Sequence, residues 1–383
     1  MSGNLLSTIL RHDSKQNSYK IALLRSINDV VMNYPDAADL NKDIAIPLRL
    51  LADYWIAYYW PFVKEDRQVF QGHRAKSKNG RKNDIAFRPE LTKLRRAWEN
   101  LNPGAVSSSD GYFLINEFKI NRKVVLYPAS IYELYRRANV KIRTALKQPI
   151  QYAGPDQWKV FPKAETLKTY NSSEVIALPR TNDNENCLLI GKGLWKTFQE
   201  LSLWIEALCI HEWCLFTEHV DQTDKDVNRG TIYQLLTDRP HNRRPLTWER
   251  NQIDILLMEG SKFECPWSGY KIQKGSKYDL DHIIPISLYP INEMWNLVPS
   301  KPESNSKKRD KLPSTETLKK AKPRLIDTYN NYLSYPNLAN VITDEMKNRF
   351  LNVGTSTSNS SKITDMVINY VNILANSRNI ARF

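Results

Sequence analysis

Two neighbours, Asp281 and His282, and a later amide, Asn305, are of the types that hydrolytic chemistry requires. They lie in the stretch Cys265 to Pro313, which reads as a short strand, a turn, a second short strand and then a helix. Tyr278 to Ile284 alternates as a strand does, Pro285 and Pro290 break the pattern, and Asn305 opens a lysine-rich helix. Adjacent side chains of a strand face opposite ways, so Asp281 and His282 point apart. The Asp281 carboxylate and the Asn305 side-chain carbonyl are the oxygen ligands that a hard divalent cation such as Mg2+ or Mn2+ accepts. An imidazole with an ordinary pKa of about 6.5 can take a proton from water near neutral pH. The chemistry so assembled is attack by an activated water on a substrate whose developing charge a cation neutralises.

Three pieces in order, DHIIP at Asp281, WNLVP around Asn296 and NSKK at Asn305, give this stretch its likeness. It resembles the HNH nuclease family, whose core is a ββα-metal fold. The third motif position, usually His, is Asn305 here, which makes this the H-N-N variant. The resemblance implies an endonuclease that hydrolyses phosphodiester bonds in DNA. It implies a metal held by Asp281 and Asn305, His282 as general base, and Asn296 as the middle residue that holds the site together by orienting either His282 or the loop between the strands. Lys307, Lys308 and Arg309 then stand as nucleic-acid contacts, with Lys308 one helical turn beyond Asn305 and able to reach a phosphate. Many members carry a zinc site of two CxxC pairs. Here Cys265-Pro266-Trp267-Ser268 keeps the knuckle but lacks its second thiol, and the other cysteines, 187, 209 and 214, form no CxxC pair, so no structural zinc is expected. Two alternatives stay open: a silent HNH fold that binds nucleic acid without cutting, and a nuclease directed at RNA.

Composition agrees with an anionic partner. Across 383 residues, 55 Lys and Arg outnumber 41 Asp and Glu, for a formal charge of +14. Half of that excess falls between Arg239 and Arg324, the segment that contains the motif. The few scattered cysteines suit a reducing cytoplasm. Neither a signal peptide nor an apolar run of membrane-spanning length is visible. The chain lacks the Gly-rich phosphate loop of an ATPase, so any motor would be a separate ATPase or defence-system subunit.

The elements that must position the motif can be read in turn. Ser18 to Tyr34 has helical spacing, and Pro47 to Trp60 reads as a helix whose aromatics pack a core rather than stack bases. A loop follows with Arg74, Lys76, Lys78, Arg81 and Lys82 and no acid, either an arm that grips phosphate or a solvated loop. Tyr112 to Ile120 and Lys123 to Tyr127 read as a hairpin, and Ser130 to Lys147 as a basic helix. Val175 to Leu178 and Cys187 to Ile190 suggest short strands. Leu194 to Val220 reads as a helix in which His211-Glu212 begins a metalloprotease-like motif that fails at Leu215, leaving Cys209 and Cys214 as apolar core thiols. Arg243 and Arg244, in a Pro-rich break, are either backbone contacts or part of a solvated linker.

Together these readings predict an α+β chain: a mainly helical N-terminal region with short β hairpins, then a C-terminal ββα-metal domain with flanking helices. The expected boundaries are 1–245 for a recognition region with a break near 150, 246–353 for the nuclease domain, and 354–383 for a flexible linker and last helix, which docks on the body, on a partner or on a second copy. A large region outside the motif suggests controlled cleavage, as in restriction or phage-defence enzymes that resemble this layout.

Overall fold

The computed structural model describes residues 2–34, 36–73, 84–103, 107–170, 173–220, 222, 225–238, 246–288, 292–351 and 359–383. Arg74, Lys76, Lys78, Arg81, Lys82, Arg243 and Arg244 lie outside these residues. The chain is α+β and predominantly helical. It divides into two compact units: Met1–Asn33 with Ala38–Pro240, and Tyr34–Ala37 with His241–Phe383.

The first unit contains α1 (Ser2–Arg11), α2 (Tyr19–Asn33), β1 (Asp43–Pro47), α3 (Leu48–Tyr59), α4 (Arg88–Leu101), α5 (Asp110–Lys119), α6 (Asn121–Val124) and α7 (Ala129–Tyr152). It continues with β2 (Glu165–Thr166), β3 (Val175–Ala177), β4 (Asn186–Ile190), α8 (Lys192–Glu200), α9 (Ser202–Glu218) and α10 (Arg229–Thr237). The strands form one sheet in the order β2-β4-β1-β3. In its centre Ile44 pairs in parallel with Ile176 and antiparallel with Ile190. Ile44, Ala45 and Ile46 are fully buried, as befits a central strand covered on both faces.

Pro47 closes β1 and caps α3 in extended conformation. The helix expected to start at Pro47 therefore starts one residue later, behind a strand, β1, that the sequence reading did not anticipate. The aromatic run beyond it is core: Trp55, Tyr59, Trp60 and Phe62 have no exposed surface. Tyr59 meets Phe87 at 4.9 Å and Trp213 at 5.2 Å between ring centres. Such pairs add about 0.5–1.5 kcal/mol each beyond burial itself. Cys209 and Cys214 are buried on α9, and desolvation raises both thiols, Cys214 to about 11.

The hairpin expected over residues 112–127 is not formed. Asp110–Lys119 is helical, and α6 makes a further turn. Asp110 starts the helix by accepting from the Trp98 indole at 2.9 Å and the Ser107 amide at 3.1 Å. Gly111 lets α5 lie directly on α3, since a Cβ there would stand 2.7 Å from Trp60 Cβ. Tyr112, Ile115 and Phe118, β-formers by type, recur at helical spacing and are buried, so packing overrides propensity.

The second unit contains α11 (Thr247–Met258), β5 (Phe263–Glu264), β6 (Lys271–Ile272), β7 (Asp279–His282), β8 (Leu297–Ser300), α12 (Pro302–Lys308), α13 (Thr315–Ser334), α14 (Pro336–Arg349) and α15 (Ser360–Arg378). Strands β5 and β6 form one antiparallel pair, with Phe263 opposite Ile272. Between them Cys265 N donates to the Tyr270 carbonyl at 2.8 Å, so the knuckle is closed by backbone hydrogen bonds around a buried, free Cys265. Strands β7 and β8 form the other pair, with Asp281 opposite Val298 and His282 opposite Leu297. Trp295, Tyr329, Tyr332 and Tyr370 fill the core behind them. The Tyr329 hydroxyl donates to the Trp295 carbonyl and the Tyr332 hydroxyl to that of Leu297, tying α13 to the strand that leads into α12. Helix α15 lies in this unit, and the backbone beyond it bridges back: Leu312 N donates to Ala381 O, and Phe383 N to Leu312 O, both at 3.0 Å. Among the described residues no helix is long and apolar enough to cross a membrane.

Candidate active site

Strand β7 reads Asp-Leu-Asp-His, and its alternation sorts the site into two faces. Asp279 and Asp281 share one face, while Leu280 and His282 share the other. Pairing with β8 fixes the register, and α12 then returns along the aspartate face. Its first turn contains Pro302, which suits a helix start because it has no amide hydrogen to leave unpaired.

On the aspartate face, the Asn305 amide nitrogen donates to Asp279 Oδ2 at 3.2 Å. One turn later, Lys308 Nζ donates to Asp281 Oδ1 at 2.8 Å and also to the His282 carbonyl. The other carboxylate oxygen of Asp281 accepts from the Trp267 indole at 2.6 Å. The Lys308 and Asp281 side chains are 1% and 3% exposed. Lys308, expected to reach a phosphate, here turns its ammonium inward onto a carboxylate. Lys307 and Arg309, its neighbours, are exposed.

On the opposite face, His282 is 7% exposed, and its Nε2 lies 2.8 Å from Asn292 Oδ1. A carbonyl oxygen accepts, so Nε2 carries the proton and Nδ1 keeps its lone pair. Burial lowers the His282 pKa from its usual range, while the Asn292 hydrogen bond and the Asp281 charge oppose that shift. The imidazole is thereby held neutral, as a base must be. Asn292 is fully buried, and among the described residues its amide nitrogen has no hydrogen-bond partner.

Asn296 serves the loop rather than the imidazole. Its Oδ1 accepts from Ile284 N at 2.8 Å, its Nδ2 donates to Ile284 O at 2.9 Å, and its own carbonyl accepts from Ile283 N at 2.8 Å. These three bonds clip both ends of the segment that joins β7 to β8. Of the two roles expected of Asn296, the structure displays the second, and the orienting contact to His282 comes from Asn292. Asp279, Asn292 and Trp267 were not singled out as site residues from the sequence. Asp279 alone carried a signal, its spacing of two from Asp281 in a strand.

Among the described residues, no group of three or more His, Cys, Asp and Glu side chains is placed to hold a metal ion. What the chain offers is oxygen: the carboxylates of Asp279 and Asp281 and the amide of Asn305, along one face. That donor set fits a hard divalent cation rather than zinc. The Lys308 ammonium seated on Asp281 shows that this carboxylate is already arranged to receive positive charge.

Comparison with known families agrees with this geometry. Residues 265–314 match the family model described as HNH endonuclease, so the chain carries an HNH domain there. Residues 2–236 match the model described as Domain of unknown function (DUF8808), which spans more than half of the chain, and the protein belongs to that family. No curated protein and no solved structure matches the chain.

Proposed function

We propose that the protein is a metal-dependent HNH endonuclease of the H-N-N kind that hydrolyses phosphodiester bonds in DNA. The observation that carries this reading is the two-faced strand β7, with an oxygen-donor face backed by α12 and a neutral, oriented imidazole on the other side. His282 takes the proton from the attacking water at Nδ1, because Asn292 engages Nε2. Asp281 and Asn305, with Asp279 beside them, are the residues that would hold Mg2+ or Mn2+. Such an ion, when bound, supplies Lewis-acid charge to the phosphate and to the leaving oxygen. Asn296 keeps the loop behind His282 closed, so that the imidazole does not drift from the water it activates. Lys307 and Arg309 offer exposed cations at the end of α12 for the DNA backbone, and Arg74, Lys76, Lys78, Arg81, Lys82, Arg243 and Arg244 are assigned as further backbone contacts by their charge.

The region before the nuclease domain is assigned substrate or partner recognition, and the whole chain a place in restriction or anti-phage defence. A separate ATPase subunit or a second copy of the chain would be its partner. A plasmid cleavage assay with Mg2+ or Mn2+ tests the activity. Wild-type protein should cut, while Asp281→Ala and His282→Ala should bind DNA and leave it intact. Cleavage that survives Asp281→Ala would overturn the metal assignment. Preferential cutting of labelled RNA over labelled DNA would overturn the substrate. Unchanged phage plating efficiency on cells expressing the protein would remove the defence role.

A further inference from the structure

Both oxygens of the Asp281 carboxylate are engaged by the chain itself. Oδ1 is held by the Lys308 ammonium at 2.8 Å and Oδ2 by the Trp267 indole at 2.6 Å, and the ammonium also rests on the His282 carbonyl. A carboxylate as buried as Asp281 is costly without a counter-charge. The site therefore needs a cation at every stage, and the chain supplies one. Lysine suits this post because its charge is compact and carried on a flexible stem. An arginine fork would bridge both oxygens and lock them.

The backbone next to Lys308 adds an independent observation. Helix α12 stops at Lys308, and Arg309 follows with φ 51° and ψ −132°. Positive φ of this kind is adopted readily by glycine and only under constraint by a residue with a side chain. The constraints on view are the Arg309 amide bonded to the Asn305 carbonyl at 3.2 Å and the anchored Lys308 side chain. Release of Lys308 would remove one of them, so the anchored lysine and the positive φ of Arg309 are linked.

We infer that Lys308 is an internal counter-cation that occupies the Asp281 carboxylate until a divalent ion takes its place, so that metal uptake at this site is a cation exchange coupled to DNA binding. The coupling follows from charge. Once Lys308 has yielded Asp281, its ammonium lacks an anionic partner, and a phosphate of the substrate provides one. By linkage, DNA then tightens metal binding and metal tightens DNA binding by the same factor. This inference rests on the proposed metal-dependent nuclease reading.

The test uses full-length protein and Mn2+ alone as probe, with bound Mn2+ followed by electron paramagnetic resonance. Without DNA, Lys308→Met should bind Mn2+ at least about tenfold more tightly than wild type, within the usual range for coupled sites. A short duplex, added in a His282→Ala background so that it stays uncut, should tighten Mn2+ binding by a similar factor when Lys308 is present and leave the Lys308→Met protein unchanged. Equal or weaker Mn2+ binding by Lys308→Met overturns the exchange. A second measurement needs only wild-type protein: acylation of the Lys308 amine, read by mass spectrometry, should be slow without metal and rise at saturating Mn2+. An amine that stays protected at saturation overturns the inference even if Lys308→Met fails to fold. Asp281→Asn separates this outcome from failure of the underlying reading. Mn2+ binding that never depends on Asp281, with or without duplex, sinks the metal nuclease itself. Asp281-dependent binding that ignores Lys308 sinks only the exchange.

Discussion

Each unit of the molecule buries ion pairs, and one pair from each, Arg88–Asp84 and Lys308–Asp281, are built for opposite purposes. In the N-terminal unit, Arg88 donates to both carboxylate oxygens of Asp84, at 2.5 and 2.9 Å, and to the carbonyls of Phe62 and Val69 at 2.8 and 3.0 Å. The Gln71 amide also binds Asp84, so the pair fastens the segments on either side of residues 74–83. In the C-terminal unit, Lys308 meets Asp281 through one ammonium, and the remaining carboxylate oxygen is left to an indole. The arginine fork spreads its charge over a rigid plane and is satisfied in several directions, which makes it a fastener. The lysine is a point charge on a long stem, which makes it exchangeable. Similar burial therefore says little about role; the donor geometry tells the two apart.

The widest separation is expected from truncating the two aspartates in parallel. Asp281→Ala should remove plasmid cleavage by about three orders of magnitude or more, since it takes away the proposed metal ligand. Asp84→Ala should leave the cleavage rate of correctly folded protein intact but destabilise the fold by about 3–5 kcal/mol, the usual cost of breaking a buried pair, read as a shift in the urea unfolding midpoint. For Asp281→Ala the stability loss should be less than half as large, because Lys308 is the last residue of the short helix α12 and its flexible stem can carry the charge out to solvent. Equal stability losses would break the distinction between fastener and exchangeable pair.

A smaller effect is expected behind the catalytic strand. Asn292→Ala should slow cleavage by about 10- to 100-fold, the usual cost of losing a residue that orients a functional side chain, with DNA affinity unchanged in a gel-shift assay. The subtlest effect is on pH dependence. Burial favours neutral His282, so the base form persists to lower pH than in a free histidine. The acid limb of the cleavage profile should therefore have its midpoint below about 6.5. The stability sign is the same: a depressed folded-state pKa means that protons favour the unfolded chain, so the contribution of His282 to stability falls as pH drops through about 6.5. A limb centred above 6.5 would contradict the buried, neutral imidazole.

The motif and its order of strand, strand and helix were legible in the sequence because they are local, although α12 starts at Pro302 and Asn305, expected to open it, lies in its middle. Asp281 and His282 are neighbours in an alternating strand, prolines mark the turn, and Asn305 and Lys308 are one helical turn apart. The core role of the α3 aromatics was legible for a similar reason, since their density leaves few other uses. What escaped depends on partners distant in the chain. Asn292 looks like any loop asparagine until β7 and β8 pair and bring it under His282. Trp267 sits in a degenerate knuckle and gains meaning only when its indole meets Asp281. Lys308 was legible as a cation but not in its direction, which is set by a carboxylate 27 residues earlier. Residues 112–127 misled because their β-forming types also satisfy a helical period, and only the seat that Gly111 finds on Trp60 decides between the two.

The strip from Ala381 to Phe383 has a consequence for the order of assembly. It pairs with Leu312 and Ser314, and the Phe383 ring stands edge-on to Trp267 at 5.5 Å, directly behind the indole that holds Asp281. Contacts so far apart along the chain are slow to form, because a long loop must close before they reward the closure. The backing of the Asp281 indole therefore depends on residues 312 and 383 being brought together, so loss of the Phe383 ring would loosen a carboxylate it does not touch.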